Sequence, residues 1–316
     1  MISRSETLVT VFGGSGFIGR YVCEYLLKSG VRLRVASRDP RESYFLQPLA
    51  QVGQMGRVHA NITDRHSVAA AVKGADAVVN LVGAFKNMHA VHSEGAGIIA
   101  EEAKSAGASS LVHISAIGAD SASASNYGRT KGQGEAAVRK AFAQATIIRP
   151  SLVFGAEDQL TNRFAAMGRF PLVPVLAPNT KFQPVFVRDL AQAIAEAALD
   201  PAAYGGKIYE IGGPQILSMI GLHRAIYDVT GQDPELIPLP NIAGRAISML
   251  GFLPGAPLTR DQWAMLQRDN VAARGMPGLK AVGIEPTPLG AVAGEWLARF
   301  RSTKLAGRRS TRRAAA

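Results

Sequence analysis

The stretch TLVTVFGGSGFIGRYVCEYLLK, residues 7–28, decides the fold. It opens with a short apolar, β-branched run (7–12), breaks at Gly13, Gly14, Ser15 and Gly16, and passes Gly19 into a helix-like stretch, 20–28. Glycine lets the backbone turn tightly and come within contact distance of a diphosphate. The helix N-terminus that follows offers unpaired N–H groups and a partial positive charge. The loop reads in two registers, Gly14-Gly16-Gly19 as GxGxxG and Gly13-Gly16-Gly19 as GxxGxxG. Either spelling alone is common. Its place directly between a strand and a helix makes this one a candidate dinucleotide loop, with Gly13, Ser15, Gly16, Phe17, Ile18 and Gly19 as its contacts.

Working outward, the pattern repeats. RLRVAS (32–37) is a second strand, 57–60 a weaker third, DAVVNLV (76–82) a buried fourth ending at Gly83, LVHIS (111–115) a fifth and ATIIR (145–149) a sixth. Asp64 caps a helix that carries Val68, Ala71 and Val72 on one face. Another helix runs to about Ala106. Strands separated by helices give a parallel sheet with right-handed crossovers. The expectation is an α/β fold, a doubly wound parallel sheet of the Rossmann type over 1–155, with a smaller C-terminal lobe over 156–306. In that lobe 185–187 and 208–211 return to the main sheet and 220–229 is helical. No internal repeat at solenoid spacing is present.

Composition sets the outer limits. Of 316 residues, 47% are hydrophobic and 19% charged, enough to bury a core and too apolar for a disordered chain. The single cysteine, Cys23, excludes a disulfide scaffold and a multi-cysteine metal site; no metal is expected. No apolar run reaches the ~18 residues of a membrane span. The longest candidate, 242–258, is interrupted by Arg245, Pro254 and Pro257. The first strand is under way by Leu8, which leaves no room for a signal or transit peptide, so a cytoplasmic protein is expected.

The net charge of +11 is unevenly placed. Arg299, Arg301, Lys304, Arg308, Arg309, Arg312 and Arg313 have no acid among them, and without these seven the charge falls to +4. The tail 307–316 lacks apolar periodicity and is expected to be disordered. It reads equally as solvated charge or as a contact for anionic lipid, at ~1 kcal/mol per basic residue, or for an acidic protein surface. Charge alone does not choose; nucleic acid is not the expected partner.

The end of the second strand bears on the cofactor. An NAD site places Asp or Glu there to hold the ribose 2′-OH. Here the run is Ala36, Ser37, Arg38, and a planar guanidinium beside a hydroxyl suits a 2′-phosphate. Asp39 follows one residue later and would repel that phosphate if it pointed inward. NADP(H) is therefore favoured over NAD(H). Arg20 reads either as a second phosphate partner or as a helix-surface arginine.

Further on, Tyr127 and Lys131 stand four apart in NYGRTK and share a helix face. An ammonium nearby favours the phenolate, lowering the tyrosine pKa from about 10 toward working pH. Tyr127 is thus a candidate general acid/base, with Lys131 as its activator and a ribose ligand.

At this point the chain resembles the short-chain dehydrogenase/reductase superfamily, in its extended or atypical, NAD-dependent epimerase/dehydratase-like branch. The resemblance covers most of the chain. It rests on GGSGFIG, Asn80-Leu81-Val82-Gly83, YGRTK, RPSLVFG (149–155), QPVFVRD (183–189) and YEIGG (209–213). It implies that Asn61 and Ile62 line the adenine, although the family often has Asp there. It implies that Gly83 and Ala84 pass over the adenosine, and that Pro150 and Val153 face the nicotinamide; Leu81 and Ser115 join the same cofactor site. One departure matters. Active members carry Ser or Thr near the end of the fifth strand, and the alignment puts Ile117 there. A missing donor leaves a developing oxyanion less stabilised, by ~3 kcal/mol on the analogy of oxyanion-hole deletions. Ser121, Ser123 and Ser125 are the substitutes within reach in sequence.

The C-terminal third adds LTRDQ (258–262), Asp269-Asn270, MPGL (276–279) and VGIEPTPL (282–289). Together with the motifs above, these resemble the Rossmann-type accessory subunits of respiratory complex I (NADH:ubiquinone oxidoreductase) and their bacterial relatives. That resemblance implies a tightly held, structural NADPH and complex I subunits or quinone-module proteins as partners. It implies a peripheral place on the inner face of the membrane, or in the matrix of a eukaryote. The apolar, proline-punctuated segment 238–258 then serves to dock on membrane or partner, or packs on its own lobe. An active NAD(P)-dependent oxidoreductase, epimerase or dehydratase using Tyr127 and Lys131 is the alternative. A redox-sensing regulator shares the same residues.

Overall fold

Seven strands lie side by side and point the same way: β1 (Leu8–Phe12), β2 (Arg32–Ser37), β3 (Met55–His59), β4 (Ala77–Asn80), β5 (Ser110–Ile114), β6 (Thr146–Pro150) and β7 (Ile208–Ile211). In the computed structural model, which describes residues 5–249, 251 and 258–301, they pair in the order β3-β2-β1-β4-β5-β6-β7, every pair parallel. The order reverses between β1 and β4, so the crevice outside their C-terminal ends is where a doubly wound sheet takes a ligand.

Alternation along the strands explains the layers. Val9 and Val11 of β1, with Val112 and Ile114 of β5, face a core closed by α1 (Phe17–Lys28) and by α5 (Val187–Leu199). Phe12 and Leu111 face the other way, against α2 (Arg65–Val72), α3 (Gly95–Ser105) and α4 (Asn126–Ala141). A sheet covered on both faces needs such apolar strands. The helix ends are where local chemistry puts them. Asp64 caps α2 by accepting from the His66 N–H, and Ser125 caps α4 by accepting from Gly128. The first helix starts at Phe17, three residues earlier than its apolar pattern suggests, because Gly16 takes the cap position.

A third core holds the smaller lobe, where Phe164, Val173, Phe182, Leu222, Ile226 and Leu297 pack together. Two expectations for this part change. Val185–Phe186 does not rejoin the main sheet; it pairs with Val153–Phe154 as a separate two-stranded ribbon. The edge of β6 is already filled by β7, with Ser151 N donating to Ile211 O at 2.8 Å. The segment 238–258 forms a helix, Asn241–Met249, with Gly244 against the Trp263 ring and Ile242 and Met249 exposed. Residues 250 and 252–257, and the basic tail 307–316, lie outside the described residues.

One buried ionic group ties these layers together. Arg149 of β6 grips Glu135 of α4 through Nε (2.8 Å) and Nη2 (2.7 Å) and reaches Glu210 of β7 through Nη1 (3.2 Å). Both carboxylates are buried. Arg149→Met would leave two buried negative charges facing each other, and loss of one partner of such a group costs about 3–5 kcal/mol. Urea unfolding should show that loss, with partial recovery on adding Glu135→Gln; a variant as stable as the parent would contradict it.

Candidate nucleotide-binding site

The loop between β1 and α1 needs its glycines for different reasons. Gly13 sits at φ +82°, with its N–H on Ala36 O at 3.3 Å. At Gly19 a Cβ would lie 2.1 Å from Gly13 O, so no side chain fits. Gly16 is the helix cap and supplies no side chain to the first-turn N–H groups. The helix therefore starts with its donors uncommitted to a cap, facing the end of the sheet.

Beside the loop, β2 ends in Ser37, Arg38 and Asp39. The Ser37 hydroxyl donates to Asp39 O at 2.8 Å. Arg38 is exposed and has no hydrogen-bond or ion-pair partner among the described residues. Arg20 is committed elsewhere: Nη1 meets Glu157 at 2.7 Å, and the guanidinium lies over Phe45. Of its two readings the geometry fits the helix-surface arginine, here paired with Glu157, which also accepts from Tyr21 OH at 2.7 Å. After β3, Asn61 Oδ1 accepts from Thr63, while Ile62 is buried beneath Gly95.

The other end of the cleft is assembled from β4, β5 and α4. The backbone of Leu81 and Val82 lies 3.4 Å from where a Cβ on Gly13 would be. A Cβ on Gly83 would sit 3.8 Å from Lys131 Nζ and 3.9 Å from His92 Nε2. Lys131 is buried and donates to Ile114 O at 3.0 Å, next to Ser115, whose buried hydroxyl has no partner among the described residues. The Phe17 ring lies against Gly155, two residues from Val153, and Pro150 O accepts from Ile117 N. The residues read from the sequence thus follow the C-terminal ends of the strands, from Arg38 after β2 to Val153 after β6.

The tyrosine departs from expectation. Burial pushes Tyr127 up to about 12 rather than down. Lys131 does not offset this: its own pKa is pushed down to about 8 by burial, its hydrogen bond goes to Ile114 O, and its Nζ is 5.9 Å from the Tyr127 ring centre. Phe85 stacks on the phenol ring at 5.3 Å and 22°. Two of the loop serines accept local hydrogen bonds. Ser125 caps α4, and Ser123 Oγ accepts from Ser125 N at 3.3 Å.

Several residues of this region carried no usable sequence signal. His92 accepts from Ala84 N at 3.0 Å, its Nδ1 is 3.0 Å from Thr130 Oγ1, and its ring edge meets Tyr127. With Nε2 an acceptor, the proton is assigned to Nδ1. Asp261 accepts from the N–H of Tyr127 at 3.1 Å and from that of Asn126. Asn270 bridges Ser151, Gln183 and Lys181 by its backbone and carboxamide oxygens and its N–H. Both stand in the LTRDQ and DN runs, whose spelling marked them without giving a role.

A diphosphate finds here uncapped helix donors, glycines that admit it and a free guanidinium nearby, so the residues present fit a dinucleotide. Residues 13–201 match a family model described as NAD(P)H-binding. The chain is 33% identical over 310 residues to mitochondrial NADH dehydrogenase (ubiquinone) 1 alpha subcomplex subunit 9 of Mus musculus, covering 95% of this chain and 82% of that one. It is 29% identical over 250 residues to a ceramide reductase of Caulobacter vibrioides, covering 76% of each. The crystal structure of an NADPH-dependent quinone oxidoreductase of Escherichia coli with NADPH shares the fold. Its TM-score is 0.74 at 19% identity, covering 91% of this chain and 99% of that one.

His92 and His113 are held at about 4 and about 3, first by burial and then by the Lys131 charge. Unfolded, both titrate near 6.5. Their folded values lie below the unfolded one, so below about pH 6.5 the unfolded chain takes up protons that the fold refuses, and stability falls toward pH 4. Each histidine adds at most about 1.4 kcal/mol per pH unit. Denaturation of a His113→Asn variant at pH 7 and pH 5 should show a smaller loss than the parent; equal losses would refute this.

Proposed function

The chain belongs to the NAD(P)H-binding family, and within it to the group that contains subunit 9 of the NADH dehydrogenase alpha subcomplex. From that premise we propose that it holds NADP(H) as a fixed cofactor and serves an NADH:quinone oxidoreductase as an accessory or assembly subunit. Gly13, Ser15, Gly16, Phe17, Ile18 and Gly19 take the diphosphate. Ser37 and Arg38 take the 2′-phosphate, and Asn61 and Ile62 the adenine. Leu81 and Gly83 lie along the adenosine; Ser115, Tyr127, Lys131, Pro150 and Val153 enclose the nicotinamide end. When bound, the nicotinamide would supply a hydride donor or acceptor.

The observation that carries the structural role over turnover is the state of Tyr127. Its phenol is pushed up to about 12 and stacked under Phe85, with no hydrogen bond from Lys131. Ile117 brings no hydroxyl to the end of β5. Partners among NADH:quinone oxidoreductase subunits are supported by the 95% coverage in the match to the mouse protein. Docking at the quinone module, on the inner membrane face, is supported by the exposed Ile242 and Met249; no helix among the described residues is long and apolar enough to cross a membrane.

A second reading has its own support. Tyr127 and Lys131 do share one face of α4, and a relative is named a reductase. In that case the chain is an active oxidoreductase, with Tyr127 as the acid/base group.

Native mass spectrometry of the protein as purified should show retained NADPH and companions from an NADH:quinone oxidoreductase. Robust NADPH-dependent turnover of a quinone or a sugar nucleotide by the purified monomer, abolished in Tyr127→Phe, would favour the second reading instead. For cofactor choice, Arg38→Glu should weaken NADPH far more than NADH in a binding titration. Equal losses would remove the preference.

A further inference from the structure

The segment Ser37-Arg38-Asp39-Pro40-Arg41 carries three charges at the mouth of the cleft, and one of them, Arg38, has no partner among the described residues. Asp39 is the puzzle. A carboxylate at the end of the second strand is what an NAD site uses to accept from the ribose 2′-OH, and it repels a phosphate there. A chain that selects NADP(H) with Arg38 should not follow it with an acid.

The geometry resolves this. Asp39 is the cap of the 3₁₀ helix Pro40–Leu49, and Pro40 holds the first helical position. Its Oδ1 accepts from Arg41 N at 3.0 Å and from Arg41 Nε at 3.0 Å, and its Oδ2 accepts from Nη2 at 2.9 Å. Both carboxylate oxygens are engaged in a forked pair. The hydrogen bond from Ser37 Oγ to Asp39 O fixes the turn that aims the side chain. Arg38 alone is left without a partner among the described residues.

We propose that Arg41 is a specificity-determining residue: by gripping Asp39 it cancels the charge that would otherwise oppose a 2′-phosphate beside Arg38. This rests on the reading of the cleft as an NADP(H) site. Arg41 acts through Asp39 and is a positioning residue, not a ligand. The pair is exposed, with side chains 78% and 39% accessible, and such pairs contribute little to folding. Its removal therefore tests binding and not stability. Asn in place of Asp39 keeps the cap, since Asn caps as well as Asp.

Dissociation constants for NADPH and NADH should be measured on the full chain and on Arg41→Ala, Arg41→Ala with Asp39→Asn, and Arg38→Glu. Arg41→Ala should weaken NADPH by about tenfold and NADH by less than about twofold, an effect that shrinks in high salt. Adding Asp39→Asn should bring NADPH back to within about twofold of the parent. An unchanged NADPH-to-NADH ratio in Arg41→Ala, while Arg38→Glu still discriminates, overturns the proposal alone. A loss that Asp39→Asn does not repair also overturns it, since Arg41 would then be touching the phosphate itself. A parent chain that binds neither nucleotide, or both equally, overturns the cofactor reading and this proposal with it.

Discussion

The close approach of Gly19 to the carbonyl of Gly13 is the constraint on which the cleft depends. With 2.1 Å between that oxygen and the position a Cβ would take, the first turn of α1 is pressed onto the end of β1. The pressing brings Phe17 against Gly155 and Gly13 against Leu81 and Val82. A single backbone contact thus sets the spacing between the phosphate end of the cleft and the segments that follow β4 and β6. A glycine loop is often described as flexible. Here it is tightly packed, because the helix donors reach a ligand only if nothing lies between helix and strand.

A second set of contacts holds the far side. The C-terminal stretch from Thr259 to Ala273 crosses the ends of β5, β6 and β7. Asp261 accepts from the first two N–H groups of α4, and Asp269 accepts from Lys181 N. Asn270 meets Ser151 and Gln183, and Ala273 N donates to Glu210. The helix that carries Tyr127 and Lys131 is therefore oriented by residues some 130 positions away. This gives the smaller lobe a physical role in the nucleotide cleft.

The interior of the cleft is polar, and Lys131 supplies its charge. His92 and His113 are kept neutral by burial, and the Lys131 ammonium, itself destabilised, adds to the effect. The two neutral histidines offer fixed donors and acceptors that do not titrate near neutral pH; Lys131, pushed down to about 8, is the group here that does.

By itself the sequence determined the elements and the loop. Six strands and their helices follow from apolar runs of the right length, and Gly13, Gly16 and Gly19 from their place between strand and helix, because these depend on near neighbours in the chain. The end of β2 was also legible, since Ser37 and Arg38 occupy a fixed offset from the loop. What only the tertiary structure decided is the state of each charged or titratable group. Tyr127 rises instead of falling because it is buried, and Lys131 turns its hydrogen bond to Ile114 O; Arg20 turns to Glu157; Val185–Phe186 yields the sheet edge to β7. Each of these outcomes depends on burial and on which partner arrives from elsewhere in the fold, and neither is encoded in the spacing of residues along the chain.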